Sequence, residues 1–179
     1  MSGLRTPRLI LRQWRPEDRQ PFADMNADAR VMEFFPSVST REESDAAVDM
    51  IQETIDTRGF GFWAVEIPGV TSFAGFIGLT NPRFDAHFTP CVEMGWRLAP
   101  DYWNRGYATE GARAALEFGF GDLALREIVA FTVPTNVRSR RVMEKLGMTY
   151  DPADDFDHPR IAAGHPLCRH VLYRIRADG

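Results

Sequence analysis

The sequence has few cysteines and no long apolar run, and each shortage excludes a class of protein. Its two cysteines, Cys91 and Cys168, lack metal-ligand spacing and are too few for a disulfide-stabilised scaffold. No apolar stretch approaches the ~20 residues that span a bilayer. The first residues also lack the apolar core of a secretory signal. We therefore expect a cytoplasmic protein with no metal centre and no membrane partner.

Charge of either sign is not in large excess. The formal net charge is −4, and Lys145 is the only lysine, so the basic side chains are almost all arginine. This balance favours neither nucleic acid nor an acidic membrane surface as a partner. With 179 residues, no internal repeat and no linker-like stretch, the chain is predicted to form a single domain over residues 1–179.

The residue patterns alternate between helical and strand periodicity, which predicts a mixed α/β (α+β) fold. Helices are expected near Pro21, after a capping box at Ser39 or Thr40, from about Thr109, and from Asn136 to Leu146. Strands are expected at 9–14, 61–67, 73–79, 92–98, 127–133 and 169–176, with a further short strand near 148–150. Residues 151–159 are expected to form an acidic loop.

The turn from Asn104 to Ala108 lies between the strand ending at Leu98 and the next helix. Gly106 lets the backbone approach a ligand closely, because it has no β-carbon. The free N–H groups at a helix start suit a phosphate, and Arg105 could add a charged fork. Taken alone, the segment is equally compatible with an ordinary strand–turn–helix connection.

A second strand–helix unit follows at residues 132–148. Asn136 is placed to cap the helix, and Ser139 lies one turn further on. Four basic residues on this helix are most simply a solvated face. A serine inside a helix can also bond to its own backbone, so a chemical role for Ser139 and that local role both stay open.

These two units together resemble the GNAT N-acetyltransferases, and within them the RimJ/RimL type, which acetylates protein N-termini and assorted amines. The segments that carry the resemblance are Thr6–Arg12, Glu93–Trp96, Trp103–Glu110 and Asn136–Met148. Trp103 stands where the superfamily often has Gln or Arg, and a tryptophan there is usual for the RimJ/RimL group. The order of elements fits across nearly the whole chain.

The resemblance implies a central, mostly antiparallel sheet of about six or seven strands, splayed between its fourth and fifth strands and flanked by about four helices. Acetyl-CoA would enter the gap as co-substrate. The resemblance assigns its binding to the backbone near Trp96, Arg97 and Leu98, to the phosphate turn, and to two residues of the late helix. The full set is Trp96, Arg97, Leu98, Trp103, Asn104, Arg105, Gly106, Tyr107, Ala108, Thr109, Asn136 and Ser139.

Two residues are candidates for acid–base chemistry. Glu93 shares a strand face with Gly95 and Arg97, so it is the first candidate for a general base. A solvent-facing or arginine-paired carboxylate is its alternative. Many members of the superfamily have a tyrosine acid on the late helix, but the matching position here is about Met143. Ser139 is therefore the candidate to protonate the leaving thiolate.

The acceptor amine is expected near the loop between the first two helices and near the acidic loop. By resemblance, Phe34, Phe35, Asp155, Asp157 and His158 are its candidate contacts. Core packing for the phenylalanines and solvation for the acidic loop are the alternatives. The acceptor could be a protein N-terminus or a small-molecule amine, and the chain could be a monomer or a homodimer.

Two other functions compete with acetyl transfer. Because the tyrosine acid is missing, a catalytically silent acyl-CoA-binding or sensor domain stays open. A nucleotide-binding α/β domain is less favoured, because no full Gly-x-Gly-x-x-Gly and no Walker lysine is present.

Overall fold

The computed structural model describes residues 3–177. Four α-helices lie within these residues: α1 Arg19–Ala27, α2 Arg41–Arg58, α3 Tyr107–Gly121 and α4 Val137–Lys145. Nine strands accompany them in the same range: β1 Leu4–Arg5, β2 Ile10–Arg12, β3 Phe62–Ile67, β4 Thr71–Thr80, β5 Glu93–Leu98, β6 Glu127–Thr132, β7 Thr149–Tyr150, β8 Phe156–Asp157 and β9 Arg169–Arg176. The predicted order of the longer elements is confirmed.

The predicted strand number, six or seven, is too low. β1 and β8 were not predicted, and the first predicted strand shortens to Ile10–Arg12. β8 lies inside the segment that was expected to be an acidic loop. A strand of two residues carries no alternation that a sequence could reveal. Such strands form here because β1 pairs with β2 and β8 pairs with β9.

The sheet is open and splayed, as expected. Its main order is β1-β2-β3-β4-β5-β6-β9-β7, and every pair is antiparallel except β5 with β6. That parallel pair has a single register position, Glu93 opposite Val129. β5 and β6 are the fourth and fifth strands of the predicted order. Beyond Glu93 the two strands separate and leave a V-shaped gap.

Local signals fix the helix ends. Thr40 caps α2, because its hydroxyl accepts from the N–H of Glu43 and the Glu43 carboxylate accepts from the N–H of Thr40. Gly59 closes the same helix in the left-handed region, with φ of 77°. α3 begins at Tyr107, two residues earlier than the predicted Thr109, because Gly106 adopts φ of 82° and turns the chain into the helix.

Helices cover the sheet on both faces. α3 packs against β4 and β5 on one face, where its buried residues Ala112, Ala115 and Leu116 join the main core. α1 packs on the other face of the N-terminal half, where Phe22 contacts Phe73 and Phe76. On the C-terminal half, a separate aromatic cluster is built around Phe88, Val129, Phe156 and Leu172. The main core also includes Ile128 of β6 and Val171 of β9, so it continues beneath the gap between β5 and β6.

Candidate active site

The gap leaves one edge of β5 without a strand partner. The N–H of Ala99 donates to the carbonyl of Ala74, and hydrogen-bonded pairs alternate along an antiparallel ladder. Glu93, Gly95 and Arg97 therefore bond to β4 through their backbone. The backbone N–H and carbonyl of Trp96 and the N–H of Leu98 face the gap, where β5 no longer pairs with β6. The carbonyl of Leu98 accepts from Trp103 Nε1 at 2.7 Å.

No bulge produces this open edge. The β4–β5 register runs without interruption from Thr80 opposite Glu93 to Gly75 opposite Leu98. The divergence of β6 alone exposes the backbone of Trp96. The backbone of Arg97 is already used in the β4 ladder, so of the three predicted backbone contacts only Trp96 and Leu98 are free to meet a ligand.

The start of α3 has unused donors. The first hydrogen bond into this helix runs from the N–H of Glu110 to the carbonyl of Gly106, at 3.0 Å. The N–H groups of Tyr107, Ala108 and Thr109 have no acceptor within residues 3–177. Gly106 has no side chain to cap them. Helix starts of this kind bind anions through free N–H groups and the positive end of the helix dipole.

A salt-bridged contact with the N-terminal segment braces this turn. The Arg8 guanidinium pairs with Glu110 at 2.6 Å, donates to the carbonyl of Arg105 at 3.0 Å and stacks over the Tyr107 ring. Thr6 donates to the same glutamate at 2.6 Å. Asn104 contributes a left-handed residue, with φ of 58°. The Arg105 side chain is exposed.

The opposite wall of the gap is the start of α4. Asn136 caps this helix: its side-chain oxygen accepts from the N–H of Ser139 at 3.2 Å, and its amide nitrogen donates to Thr132 at 3.0 Å. The Ser139 hydroxyl has no hydrogen-bond partner in the described part of the chain. By contrast, the hydroxyls of Thr54 and Thr57 in α2 donate to the carbonyl four residues earlier, at 2.7 Å. The backbone-bonded alternative for Ser139 is therefore not what the structure has.

A cavity of about 690 Å³ connects these features. It runs from the α3 start, past β5, to the loop after α1 and the segment before β9. The predicted site residues that line it are Phe34, Phe35, Glu93, Trp96, Arg97, Leu98, Trp103, Asn104, Gly106, Tyr107, Ala108, Thr109, Asn136, Ser139 and His158. Arg105 lies beside it on the surface. Met143, at the superfamily's tyrosine position, is buried and also lines the cavity.

Glu93 lies at the point where β5 and β6 diverge. Its carboxylate forms no hydrogen bond and no ion pair with residues 3–177, so the alternative of pairing with arginine does not apply, and the half-buried side chain faces the cavity. Burial raises the pKa of Glu93 to about 8. A carboxyl group with this pKa, facing a cavity, has the properties of a proton acceptor near neutral pH.

Aromatic rings form the walls on the Glu93 side. Phe62 and Phe76 lie against each other on one half of the sheet, with ring centroids 4.9 Å apart, and the Phe62 ring covers Gly95. On the other half, His158 packs against Phe84 at 4.6 Å and His170 at 5.0 Å. Burial, with the charges of His170 and Arg160, lowers the pKa of His158 to about 4. His158 is therefore an uncharged wall of the cavity at neutral pH.

Asp155 and Asp157 do not line the cavity. Asp157 pairs with Arg169 at 3.4 Å on the surface. Asp155 accepts from the Tyr150 hydroxyl at 3.2 Å, and its other carboxylate oxygen is buried without a partner. Their predicted contact with the acceptor has no support in this geometry, because β8 directs this segment onto β9 instead of into the gap.

The sequence did not reveal a bridge over the mouth of the cavity. Arg138 of α4 pairs with Glu33 at 2.7 Å and lies over the Trp103 ring at 4.5 Å. The bridge thus joins the loop after α1, the segment before α3 and α4. These residues are far apart in the chain and have no periodicity in common, so only the folded structure brings them together.

The side chain of Arg97 was also not predicted to matter, since only its backbone was named. Arg97 donates to Asn26 at 2.8 Å, and its Nε is buried with no partner. Burial lowers the pKa of Arg97 to about 10. Alternation with Glu93 and Gly95 on one strand face was the available signal for a side chain directed into the same cavity.

Residues 3–177 contain neither a metal-binding cluster nor a membrane-spanning helix. No group of three or more His, Cys, Asp and Glu side chains there could hold a metal ion. No helix among these residues combines the length and the apolar character that crossing a membrane requires.

Known proteins resemble this chain in both sequence and fold. Residues 8–149 match the family described as an acetyltransferase (GNAT) domain. An uncharacterised N-acetyltransferase of Bacillus subtilis, YnaD, is 34% identical over 148 residues, which cover 80% of each chain. A GNAT-family acetyltransferase from Bacillus anthracis superposes with a TM-score of 0.80 at 29% identity, covering 97% of this chain and 98% of its own.

A ribosomal-protein-S5-alanine acetyltransferase from Vibrio fischeri has a similar shape. Its TM-score is 0.76, over 98% of this chain and 97% of its own, at 16% identity. At that identity the likeness shows the fold alone. The match therefore supports the GNAT fold, and it does not decide whether this chain has the substrates of the RimJ/RimL subgroup.

Proposed function

The chain belongs to the GNAT acetyltransferase family and is an acetyl-CoA-dependent N-acetyltransferase, and on that premise we propose which residues carry out the transfer. The observation that carries the proposal is Glu93. Its unpaired, half-buried carboxylate lies where β5 leaves β6, beside an aromatic cavity and near the free backbone of Trp96. One site thus combines a proton acceptor, backbone donors and space for an amine.

The cofactor wall would consist mainly of backbone groups. The free N–H groups of Tyr107, Ala108 and Thr109 suit a pyrophosphate. The open edge of β5 at Trp96 and Leu98 suits the amide groups of a pantetheine arm, which can pair with it as an added strand would. Gly106 and Ala108 keep side-chain atoms away from this path. Acetyl-CoA supplies the activated acetyl thioester.

In the proposed transfer, the amine nitrogen forms a bond to the thioester carbonyl carbon, and the carbon–sulfur bond then breaks. Glu93 accepts the proton that the amine loses, directly or through a water molecule. The N–H of Trp96 donates to the carbonyl oxygen as negative charge develops there. The Ser139 hydroxyl donates to the leaving thiolate of CoA. Holding amine and thioester together supplies a large part of the rate.

The acceptor is proposed to be a primary amine that enters from the side of Phe34, Phe35 and His158. All three line the cavity on the side opposite the α3 start. Arg30, Phe35 and Pro36 at its rim are exposed, so the cavity is open to solution. A small amine and the first residue of a peptide are both compatible with this opening.

A thiol-release assay tests the proposed function. The full chain is incubated with acetyl-CoA and a panel of small amines and N-terminal peptides, and free CoA thiol is measured against an amine-free control. Amine-dependent release, with an acetylated product of matching mass, is the expected result. Binding of acetyl-CoA by calorimetry without release for any amine would support a sensor domain instead.

A further inference from the structure

Arg97 carries a positive charge inside the protein that no carboxylate balances. The guanidinium donates to the side-chain oxygen of Asn26 at 2.8 Å, and it forms no ion pair within residues 3–177. Its Nε is buried without any hydrogen-bond partner. Burying a cation is unfavourable unless it is paired. In the free protein the Arg97 guanidinium therefore lacks the counter-ion that would offset the cost of its burial.

Arg97 lines the cavity, and its Nη2 group has no hydrogen bond within residues 3–177, whereas Nη1 donates to Asn26. The guanidinium carbon lies over two aromatic rings, 4.2 Å from the centroid of Phe35 and 5.3 Å from that of Phe76. The Nη2 donors are therefore the ones that remain for a ligand. A planar fork of this kind binds carboxylate or phosphate oxygens in its own plane.

The charges around the cavity favour an anion as well. Glu93 is the one acidic residue among its lining residues in the described chain, whereas six lining residues are cationic: Arg30, Arg97, Arg138, Arg141, Lys145 and Arg160. Arg30 pairs with Asp28 and Arg138 pairs with Glu33. Arg141 and Lys145 lie on α4, on the cofactor wall. Arg160 donates to the carbonyl of Arg83 at the surface. Arg97 is thus the cation beside Glu93 on β5 that packs against aromatic rings and has no carboxylate partner.

We propose that Arg97 binds an anionic group of the acceptor, so that the preferred substrates are amines that also carry a carboxylate or a phosphate. This inference rests on the proposed function and specifies its substrate class. It differs from the expectation that Asp155 and Asp157 of the acidic loop contact the acceptor amine. Glu93 and Arg97 are four residues apart on one strand, about 13 Å between Cα atoms. Amine and anion are therefore separated by several bonds, as in a dipeptide.

A purely structural role for Arg97 predicts a different pattern. Through Asn26, which in turn donates to Ser44 at 3.1 Å, Arg97 links β5 to α1 and α2. If this link were its whole purpose, replacing Arg97 would affect stability and all acceptors alike. If it binds the acceptor, replacement would lower kcat/KM for anionic acceptors more than for their neutral partners.

Matched pairs of acceptors test the inference without any mutation. Alanyl-phenylalanine is compared with its carboxamide, and an aminoalkyl phosphate with the corresponding amino alcohol. The wild-type kcat/KM is expected to favour the anionic member of a pair by about 10- to 100-fold, the range for a hydrogen-bonded charged group. The two pairs distinguish a carboxylate from a phosphate. Equal kcat/KM within both pairs would overturn the inference.

Variants assign the preference to Arg97. In Arg97→Gln, kcat/KM for the anionic acceptor is expected to fall towards that of its neutral partner, and Arg97→Lys is expected to restore part of the difference. Arg169→Gln removes an exposed arginine outside the cavity and serves as the control that keeps the wild-type preference. A preference that persists in Arg97→Gln would also overturn the inference.

Binding of the reaction product separates this inference from the proposed function. Calorimetry with N-acetyl-alanyl-phenylalanine and its carboxamide does not require turnover. Tighter binding of the carboxylate to wild type, lost in Arg97→Gln, supports the anion site even if no amine releases thiol. Thiol release from amines without any preference for anions would leave the proposed function intact and refute the anion site. If Arg97→Gln does not fold, the wild-type pairs and Arg97→Lys decide.

Discussion

Glu93 differs from Asp18 because it is half-buried beside a cavity with no partner. Asp18 is buried, but it accepts two hydrogen bonds from Arg12, at 2.7 and 2.9 Å, and is thereby paired. For Glu93, desolvation is unopposed and raises its pKa to about 8. Both side chains end in a carboxyl group, and the difference in their surroundings makes one structural and the other a candidate base.

The Glu93→Gln variant is expected to lower kcat about 100-fold or more, the typical contribution of a general base, with acetyl-CoA affinity preserved. In wild type, kcat/KM should rise with pH up to about 8, because the base must be deprotonated. A weakly basic amine, uncharged across the titration, isolates this effect from ionisation of the acceptor. A variant with wild-type turnover at every pH would remove Glu93 from the mechanism.

Ser139 has a free hydroxyl one turn into α4, and its removal tests the role proposed for the leaving group. Ser139→Ala should lower kcat about 10-fold, the magnitude of one hydrogen bond to a developing charge. Its helix should persist, because the cap from Asn136 uses the backbone N–H of Ser139. Ser72→Ala, at an exposed serine outside the cavity, is the control. Normal steady-state turnover in Ser139→Ala would exclude the role.

At the scale of elements, α3 and α4 begin in opposite ways. Asn136 caps α4 with its own side chain, whereas Gly106 leaves the first N–H groups of α3 without a partner. A capped helix start is complete in itself. An uncapped start, braced by the Arg8–Glu110 pair, is suited to receive an external anion. This difference identifies α3 as the proposed phosphate-binding helix.

Gly106→Ala is expected to weaken acetyl-CoA binding through the added β-carbon in the phosphate turn. The substitution also forces a side chain into a left-handed residue, which costs about 1 kcal/mol of stability. Gly69→Ala is the matched control: it has φ of 75° and open space around its β-carbon, in the β3–β4 turn. Both variants should lose similar stability. Equal acetyl-CoA dissociation constants in the two would argue against the turn as the phosphate site.

At the scale of the whole molecule, the cleft exists because the two halves of the sheet barely touch. One bridge, Glu93 to Val129, joins β5 to β6, whereas β4 and β5 pair over six positions. The main hydrophobic core continues from β4 and α3 to Ile128 and Val171, so it holds the two halves together although their strands diverge. The same divergence that makes room for a ligand also leaves the Glu93 carboxylate without a partner.

Glu93 should therefore make folding stability depend on pH. Its folded pKa of about 8 exceeds its ordinary value of 4.5, so the native state holds a proton that the unfolded chain releases more readily. The contribution of Glu93 to stability is then fully present below pH 4.5 and is lost as the pH rises towards 8. Urea unfolding of wild type and Glu93→Gln should diverge over this window, with the variant more stable at pH 8. Parallel curves would contradict the assigned burial.

Sequence alone determined the family and the order of the longer elements, and most of the site residues it predicted do line the cavity. Thr40, Gly59, Gly106 and Asn136 act locally, through caps and left-handed turns, so their effect can be read within a few residues of the chain. The resemblance then placed these elements in the GNAT fold. The two-residue strands were missed because they exist only through their partners.

The tertiary structure decided what depends on distant neighbours. Because β8 pairs with β9, Asp155 and Asp157 lie outside the cavity. The fold also brings Arg138 into contact with Trp103 and Glu33, which are distant in the sequence. It also determined the surroundings that raise the pKa of Glu93, and it packed Arg97 against Phe35 and Phe76 without a counter-ion. Burial and pairing depend on which residues meet in space, and a local pattern does not contain that information.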